Sequence, residues 1–264
     1  TPLETISLKM KIGVATGEFL SASVGSRQRM EYAILGEAIS QTMGAESAAT
    51  GPGQLVINQA TADCLDESFP LAEQAPGYCR IDLDTFADPD SYEIKAEKRR
   101  ARGAISFDAS PEAILGLMQD TLDQIHALRP YIAHELVERI IAQAQRRRFD
   151  SQFLLTTVMF CNFDGLEKLL DIWGAKGASR ITNLLSAYIS AMSDVISRYG
   201  GMISRIDPYS KGTKLLALFG APVSHQDDPL RAVRAALMMN AELQTLNERW
   251  KKKFSRHLPE DWGS

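Results

Sequence analysis

The chain has 264 residues, of which 45% are hydrophobic, and a formal net charge of −4. That length and apolar content can build one large or two modest packed domains, and they exclude a chain that is disordered throughout. The slight excess of acidic residues argues against a general nucleic-acid-binding surface.

Cysteine and histidine are too scattered to indicate a metal site or a disulfide framework. The cysteines are Cys64, Cys79 and Cys161, and the four histidines also lie far apart. No zinc-ligand spacing occurs, so we predict a protein of the reducing cytosol. No apolar run of the sequence reaches the length of a membrane span. The start at Thr1, without an initiator Met or a signal-like segment, suggests an excised fragment or a processed chain.

Residues 1–97 predict an α/β segment. Residues 8–16 alternate as a strand does, and residues 30–35 (MEYAIL) are expected to pair with them in a hairpin with a long turn. A helix is predicted over residues 37–49 and ends at the glycine- and proline-rich residues 51–53. The remaining strands are expected at residues 54–58, 78–83 and 92–96.

A basic linker and a helical connector are predicted over residues 98–149. Residues 98–103 (KRRARG) are charged and lack apolar periodicity, so a solvated turn explains them better than a binding role. Two helices are predicted at residues 111–127 and 134–145, separated by Pro130. We interpret this connector as a structural spacer rather than as a partner-binding coil.

Residues 150–252 predict a second α/β segment, which a polar tail at residues 253–264 follows. Residues 153–163 (FLLTTVMFCNF) form a nearly continuous apolar run, which is typical of a buried central strand. A helix is predicted over residues 178–199 because apolar residues recur there at helical spacing. These residues are Ile181, Leu184, Leu185, Tyr188, Ile189, Met192, Val195 and Ile196.

A strand pair and a long helix complete this segment. The strands are predicted at residues 202–206 and 214–219. Asp227 and Asp228 can cap the last helix, with Pro229 at its first position. The predicted core face of this helix consists of Leu230, Val233, Leu237, Ala241 and Leu246.

The two segments resemble the two halves of a class III adenylate/guanylate cyclase domain, in reversed order. In the first, IGVATGEFLSASVGS and MEYAILGEAISQTMGAES resemble the hairpin and helix of the domain's second half. In the second, TTVMFCNFDGLEKLL, RYGGMISRID, GTKLLALFGAP and HQDDPLRAVRAALMM resemble its first half, and RPYIAHELVERIIAQ resembles the helix that leads into such domains. This order suggests a parent with tandem cyclase domains, similar to soluble adenylyl cyclase-like proteins.

The resemblance implies an α/β (α+β) fold of ferredoxin-like cyclase halves with βαββαβ-type elements. Two arrangements are open. Either the halves complement each other as one circularly permuted cyclase domain, which hides their sheet edges, or each half needs its missing partner. Contacts between the strand of residues 9–16 and that of residues 156–163 would distinguish them.

The resemblance also assigns chemistry to four positions that are substituted here. Class III cyclases use two divalent ions to join the ribose 3′ oxygen to the α-phosphate of ATP or GTP. Their metal carboxylates match Asn162 and Thr213, so the anionic ligands that Mg²⁺ needs are lost. Their transition-state Asn and Arg, spaced i, i+4 on one helix, match Ser40 and Gly44. Asp164, two residues beyond Asn162, is the remaining metal candidate.

Further positions are candidates for nucleotide contact. Ala33 matches the base-selecting position, where cyclases carry Asp or Thr, and Arg205 lies near the position of the base-contacting Lys. Lys211 and Lys214 flank Gly212 and could hold a triphosphate. A solvated hairpin tip explains these two lysines better, because no glycine-rich phosphate loop precedes them.

In the head-to-tail pairing of cyclase domains, all four substituted positions belong to one shared site. We therefore predict a degenerate, regulatory or structural site in a chain that is not catalytic alone and needs no cofactor. Mg²⁺ or Mn²⁺ would serve a competent site of the parent. The expected partners are the missing cyclase halves or a second copy, with ATP or a small anion as a candidate ligand, and neither nucleic acid nor membrane. Two alternatives are an active cyclase that makes cAMP with unusual metal ligands and a pure dimerisation or assembly module.

Overall fold

The structure, a computed structural model, describes residues 8–81, 110–142, 153–209 and 212–254. In chain order the strands and helices are β1 (Ile12–Val14), β2 (Leu20–Gly25), β3 (Met30–Leu35), α1 (Glu37–Ala48), β4 (Leu55–Asn58), α2 (Gln59–Ala62), β5 (Leu71–Ala75), β6 (Tyr78–Ile81), α3 (Pro111–Leu128), α4 (His134–Ala142), β7 (Thr157–Phe163), α5 (Leu166–Trp173), α6 (Ala178–Arg198), β8 (Gly201–Tyr209), β9 (Gly212–Phe219) and α7 (Asp228–Phe254). The fold is mixed α/β, as predicted. The strand expected at residues 92–96 and the basic linker lie outside the described residues.

The chain divides into two compact units, each of which is built from two separate stretches of the sequence. The first comprises Thr1–Thr16 and Gln41–Leu128, and the second comprises Gly17–Ser40 and Arg129–Ser264. Hairpin β2–β3 therefore belongs to the same unit as the C-terminal half of the chain, although it comes from the first predicted α/β segment.

A four-stranded sheet in the order β1-β4-β6-β5 organises the first unit. Strand β1 runs parallel to β4, and the other neighbours are antiparallel. Val56 and Ile57 of β4 are buried in two small apolar clusters, the first of which includes Ala45 of α1. Asn58 ends β4 and caps α2, because its side-chain oxygen accepts from the backbone N–H of Thr61.

The predicted hairpin between residues 8–16 and 30–35 is wrong in its first strand. Strand β3 pairs with β2, from Leu20↔Leu35 to Gly25↔Met30, whereas β1 pairs with β4. The glycine and serine residues between the two predicted strands are typical of a turn, but residues 20–25 among them form a strand.

A three-stranded antiparallel sheet in the order β7-β9-β8 organises the second unit. Helix α6 buries all eight of its predicted apolar residues, which confirms that prediction. Val24, Ala33 and Leu35 of hairpin β2–β3 lie in the same buried apolar cluster as residues of α5, α6, α7, β8 and β9. Part of the first predicted half thus completes the core of the second. Strands β1 and β7 belong to different sheets.

Two expectations for the second segment are wrong. Strand β7 lies at the edge of its sheet, with Val158 and Phe160 50% and 63% exposed, so it is not a buried central strand. Of the predicted core face of α7, Leu246 is buried, but Leu230, Val233, Leu237 and Ala241 are exposed. The other buried apolar residues of α7 are Ala232, Ala235 and Met239.

The connector forms two helices. Helix α3 has no buried side chain over its 18 residues. A short 3-10 turn, Arg129–Tyr131, separates it in sequence from α4. Among the described residues, no helix is both long enough and apolar enough to cross a membrane.

Candidate functional site

The matched metal positions lie at one end of the β7–β9 pair. In the register, Asn162 is opposite Lys214, and Phe163 is opposite Thr213. Residues directly opposite in an antiparallel pair share a face of the sheet, and successive residues alternate between faces. Thr213 accordingly lies on the core face with Phe163, whose ring is 4.3 Å from that of Tyr188, and Thr213 is only 6% exposed. The side chain of Asn162 is exposed and belongs to the opposite face.

Gly212 brings the chain after β7 close to the start of β9. Its φ of +99° is a conformation that favours glycine, and a Cβ there would lie 2.3 Å from the carbonyl oxygen of Phe163 and 3.0 Å from the Cβ of Asp164. Asp164, exposed at the strand end, is therefore adjacent to Gly212. The structure brings Asn162, Asp164 and Thr213 to one end of the strand pair, but on different faces.

Acidic groups gather near Asp164 at the beginning of α5. Burial raises the pKa of Glu167, and the charges of Asp164 and Asp171 raise it further. Within the described ranges, no group of three or more His, Cys, Asp or Glu side chains is arranged to hold a metal ion. Asp164 as a metal ligand stays a prediction.

The outer face of the sheet carries a polar row next to an aromatic ring. Asn162, Lys214 and Asp207 occupy matching positions on β7, β9 and β8. The Nζ atom of Lys214 lies 5.8 Å from the ring centre of Phe160, within the range of a cation–π contact. Arg205 follows a register shift in β8, and its Nε atom is 2.7 Å from Oδ2 of Asp207. Lys214 and Arg205, both nucleotide-contact candidates, are thus on strands of one sheet. Lys211 lies outside the described residues.

The helix positions that match the transition-state residues differ in their surroundings. Ser40 is exposed on α1. Gly44 faces Tyr78 of β6, because a Cβ at this position would lie 2.1 Å from the phenolic oxygen. Ala33, the matched base-selecting position, is 9% exposed and belongs to the buried apolar cluster of the second unit. Its methyl group is part of the core.

Arg29 is a buried polar residue that the sequence did not single out. Its guanidinium pairs with Glu31, and both side chains are largely buried, at 12% and 17% exposed. Burial raises the pKa of Glu31 by more than the charge of Arg29 and its hydrogen bond lower it. A basic run at a hairpin tip (SRQR) is normally solvated, so no signal in the sequence marked Arg29.

Comparison with known proteins finds similarity to nucleotidyl cyclases. No family model matches the chain. The chain is 19% identical over 224 residues to adenylate cyclase type 10 of the rabbit, Oryctolagus cuniculus, a match that covers 83% of this chain and 13% of that protein. It is 31% identical to the guanylyl cyclase Cya2 of a crystal structure, over 37% of this chain and 46% of that one, with a TM-score of 0.29.

The match to the rabbit protein spans most of the chain, from the first predicted α/β segment to the second. The chain represents only about an eighth of that protein, 13% of its length. The motifs of both segments, such as LALFGAP and the MEYAILGEAI strand–helix, are those by which the sequence resembles cyclases. In these motifs and in this match, the chain is similar to class III nucleotidyl cyclases.

Proposed function

We propose that the chain is part of a class III cyclase, carries a degenerate site with a regulatory or structural role, and is not catalytic by itself. The observation that supports this most strongly is the register of β7 against β9. It puts the side chains of Asn162 and Thr213 on opposite faces of the sheet, with Thr213 in the core. A two-ion site needs carboxylates that converge on one side, and neither residue is a carboxylate.

The contact between Gly44 and Tyr78 also supports a degenerate site. An arginine at position 44 would have to start from a Cβ that overlaps the Tyr78 hydroxyl. Glycine supplies no charge for a developing phosphorane, and Tyr78 fills the volume beside it. The helix is thus adapted to packing at the position where a cyclase would place its charged group.

The test is an assay of the purified chain for cAMP from ATP and cGMP from GTP, with Mg²⁺ and with Mn²⁺. We expect no turnover. Should turnover appear, Asp164→Ala and its neighbour Asp171→Ala, a matched control on exposed positions of the same region, would be compared. Turnover that Asp164→Ala abolishes and Asp171→Ala leaves intact would refute the proposal and establish an active cyclase with unusual ligands.

A second candidate function is a pure assembly module. It is favoured by the hairpin β2–β3, whose Val24 is fully buried among residues from the other end of the chain. Titration calorimetry with ATP separates the two candidates. Saturable binding that Lys214→Gln weakens would support a regulatory pocket on the outer face of the sheet, whereas no heat of binding would support assembly alone.

A further inference from the structure

Strand β8 contains one residue more than the facing stretch of β9, and this β-bulge decides which face of the sheet Arg205 occupies. Ile203 is opposite Ala217 and Arg205 is opposite Leu216, so Ser204 is the extra residue in the register. Ile203 is 3% exposed and faces the core. In a regular strand, the residue two positions further along would share that face. The extra residue reverses this order, and Arg205 consequently lies on the outer face.

The exposure of the residues beyond the bulge agrees with this reversal. The side chain of Arg205 is 63% exposed, and that of its ion-pair partner Asp207 is 45% exposed. Ile206, between them, packs against the buried apolar cluster of the second unit. Because Asp207 is opposite Lys214, the bulge brings the ion pair onto the face that carries Lys214. Without the bulge, this outer face would lose Arg205, one of its candidates for nucleotide contact.

Arg29 reaches the backbone at the residue where the bulge begins. One of its terminal nitrogens, Nη2, donates to the carbonyl oxygen of Ile203 at 3.4 Å and also pairs with Glu31. The other, Nη1, donates to the backbone carbonyl of Tyr131 at 2.7 Å. The side chain of Arg29 is 12% exposed, so water competes little for these bonds. Lysine does not reproduce them, because only the planar fork of arginine presents two separate terminal nitrogens.

We propose that Arg29 is a positioning residue, which holds the backbone of β8 at the bulge and thereby keeps Arg205 on the outer face. A bulge is a common way to re-aim a side chain beside a functional site. The bond from Arg29 to Tyr131 also ties β8 to the 3-10 turn between α3 and α4, so a displacement of that turn acts on β8 through one side chain. The inference rests on the proposed regulatory site only in counting Arg205 as part of it, and the coupling of Arg29 to Arg205 needs no ligand.

Nuclear magnetic resonance of the whole chain, labelled with nitrogen-15, tests the coupling through the Nε–H signals of two arginines. Nε of Arg205 lies 2.7 Å from Oδ2 of Asp207. At the start of α7, Nε of Arg231 lies 2.7 Å from Oδ1 of Asp227 and provides a matched reference pair. We expect Arg29→Lys to shift the Arg205 signal and to leave the Arg231 signal in place. Arg205→Lys and Arg231→Lys assign the two signals by removing them.

A control variant and a substitute variant complete this experiment. Arg180→Lys removes a guanidinium from an exposed position of α6 and should move neither signal. Arg29→Lys keeps a positive charge beside Glu31. If circular dichroism nevertheless shows it to be unfolded, Arg29→Gln combined with Glu31→Gln leaves no buried charge and carries the same expectation. An unmoved Arg205 signal in a folded variant would overturn the proposal, and so would equal shifts of the Arg205 and Arg231 signals.

Titration calorimetry with ATP relates the coupling to ligand binding. If the outer face binds ATP, Arg205→Gln should weaken binding roughly tenfold, which corresponds to the loss of a charge-assisted hydrogen bond. Arg29→Lys should weaken it less, and the double variant no more than Arg205→Gln alone, because Arg29 acts through Arg205. Additive losses in the double variant would contradict the positioning role. No binding by the unchanged chain would refute the regulatory site, while the Arg205 signal would still decide the role of Arg29.

Discussion

The Nη1 atom of Arg29 donates a hydrogen bond of 2.7 Å to the backbone carbonyl of Tyr131, 102 residues further along the chain. The same guanidinium pairs with Glu31 and donates to the carbonyl oxygen of Ile203 at 3.4 Å. Tyr131 makes a second contact with the hairpin, because its hydroxyl donates a hydrogen bond of 2.7 Å to Oγ of Ser23. One largely buried side chain thus joins hairpin β2–β3 to the connector and to β8.

Removing the guanidinium should destabilise the second unit strongly. Arg29→Met leaves the Glu31 carboxyl largely buried without its partner and two carbonyls without their donor. Breaking a buried ion pair in this way costs roughly 3–5 kcal/mol, and we expect a loss of about 3 kcal/mol because Glu31 can take up a proton. Urea unfolding followed by the fluorescence of Trp173 and Trp250, both in this unit, measures the loss.

Two further variants serve as controls for Arg29. Tyr131→Phe removes only the hydroxyl bond to Ser23 and should cost about 0.5–1 kcal/mol. Glu31→Gln added to Arg29→Met should recover part of the loss, since no charge is then left buried. If Arg29→Met cost no more than Tyr131→Phe, Arg29 would not link the hairpin to the rest of the unit.

Asp228 should make the stability of the second unit depend on pH in acid. Oδ2 of Asp228 accepts the backbone N–H of His225 at 2.8 Å, and this bond holds the pKa of Asp228 below its usual 3.8. A lowered folded-state pKa contributes stability that is present above the unfolded value and is lost as the pH falls through the folded value. Asp228→Asn should therefore lower the melting temperature at pH 7, and the gap to the unchanged chain should close below about pH 3.8.

The matched control for Asp228 is the exposed Asp194 of α6. Asp194→Asn removes the same charge without touching the start of α7, so it should change the melting temperature at pH 7 less. A gap between Asp228→Asn and the unchanged chain that stays constant from pH 7 to pH 2 would show that the carboxylate form of Asp228 contributes nothing.

Gly44→Ala should destabilise the first unit although alanine is the better helix former. The exchange gains roughly 1 kcal/mol in helix propensity. The new Cβ would lie 2.1 Å from the Tyr78 hydroxyl, and overpacking of this kind costs typically 1–3 kcal/mol. Hydrogen exchange of the β4 and β6 amides measures the net loss of stability. Tyr78→Phe combined with Gly44→Ala should make this loss smaller, because the overlapping hydroxyl is then gone. Slower exchange in Gly44→Ala would mean that Tyr78 moves aside freely.

Restoring the two matched carboxylates one at a time should have unequal effects on metal binding. Asn162→Asp adds a carboxylate on the exposed face beside Asp164 and should raise the affinity for Mn²⁺ several-fold. Thr213→Asp adds one to the core face, where it lowers stability and leaves the Mn²⁺ affinity unchanged. Titration calorimetry with Mn²⁺ on the two single variants and on the double variant measures these affinities. Strong cooperation in the double variant would contradict the placement on opposite faces.

The sequence predicted elements whose buried residues are large and regularly spaced. Helix α6 is the clearest case, because eight large apolar side chains at helical spacing leave one way to bury them. The prediction for the buried face of helix α7 was largely wrong, because that face depends on Ala232 and Ala235, while larger apolar side chains elsewhere on the helix stay exposed. A hydrophobic pattern draws attention to large apolar side chains. It does not reveal where a neighbouring element approaches closely enough to bury an alanine.

The sequence predicted where along the strands the candidate site residues lie, but not which face of the sheet each side chain occupies. Motif matching located Asn162 and Thr213, and the structure brings them to one end of a strand pair. The register, which assigns them to opposite faces, depends on cross-strand pairing that a single sequence does not reveal. The same holds for Gly44, whose neighbour Tyr78 is 34 residues away on another element.

The burial of Val24 and Leu35 beside residues of α6 and α7 has a consequence for the time course of folding. The ribosome makes hairpin β2–β3 before its packing partners in α6, which begin more than a hundred residues later. At 5–20 residues per second, the hairpin waits on the order of 10–30 s with its apolar face uncovered. Closing so long a loop is also slow. The nascent chain therefore passes through a stage in which this hairpin is a natural target for chaperones.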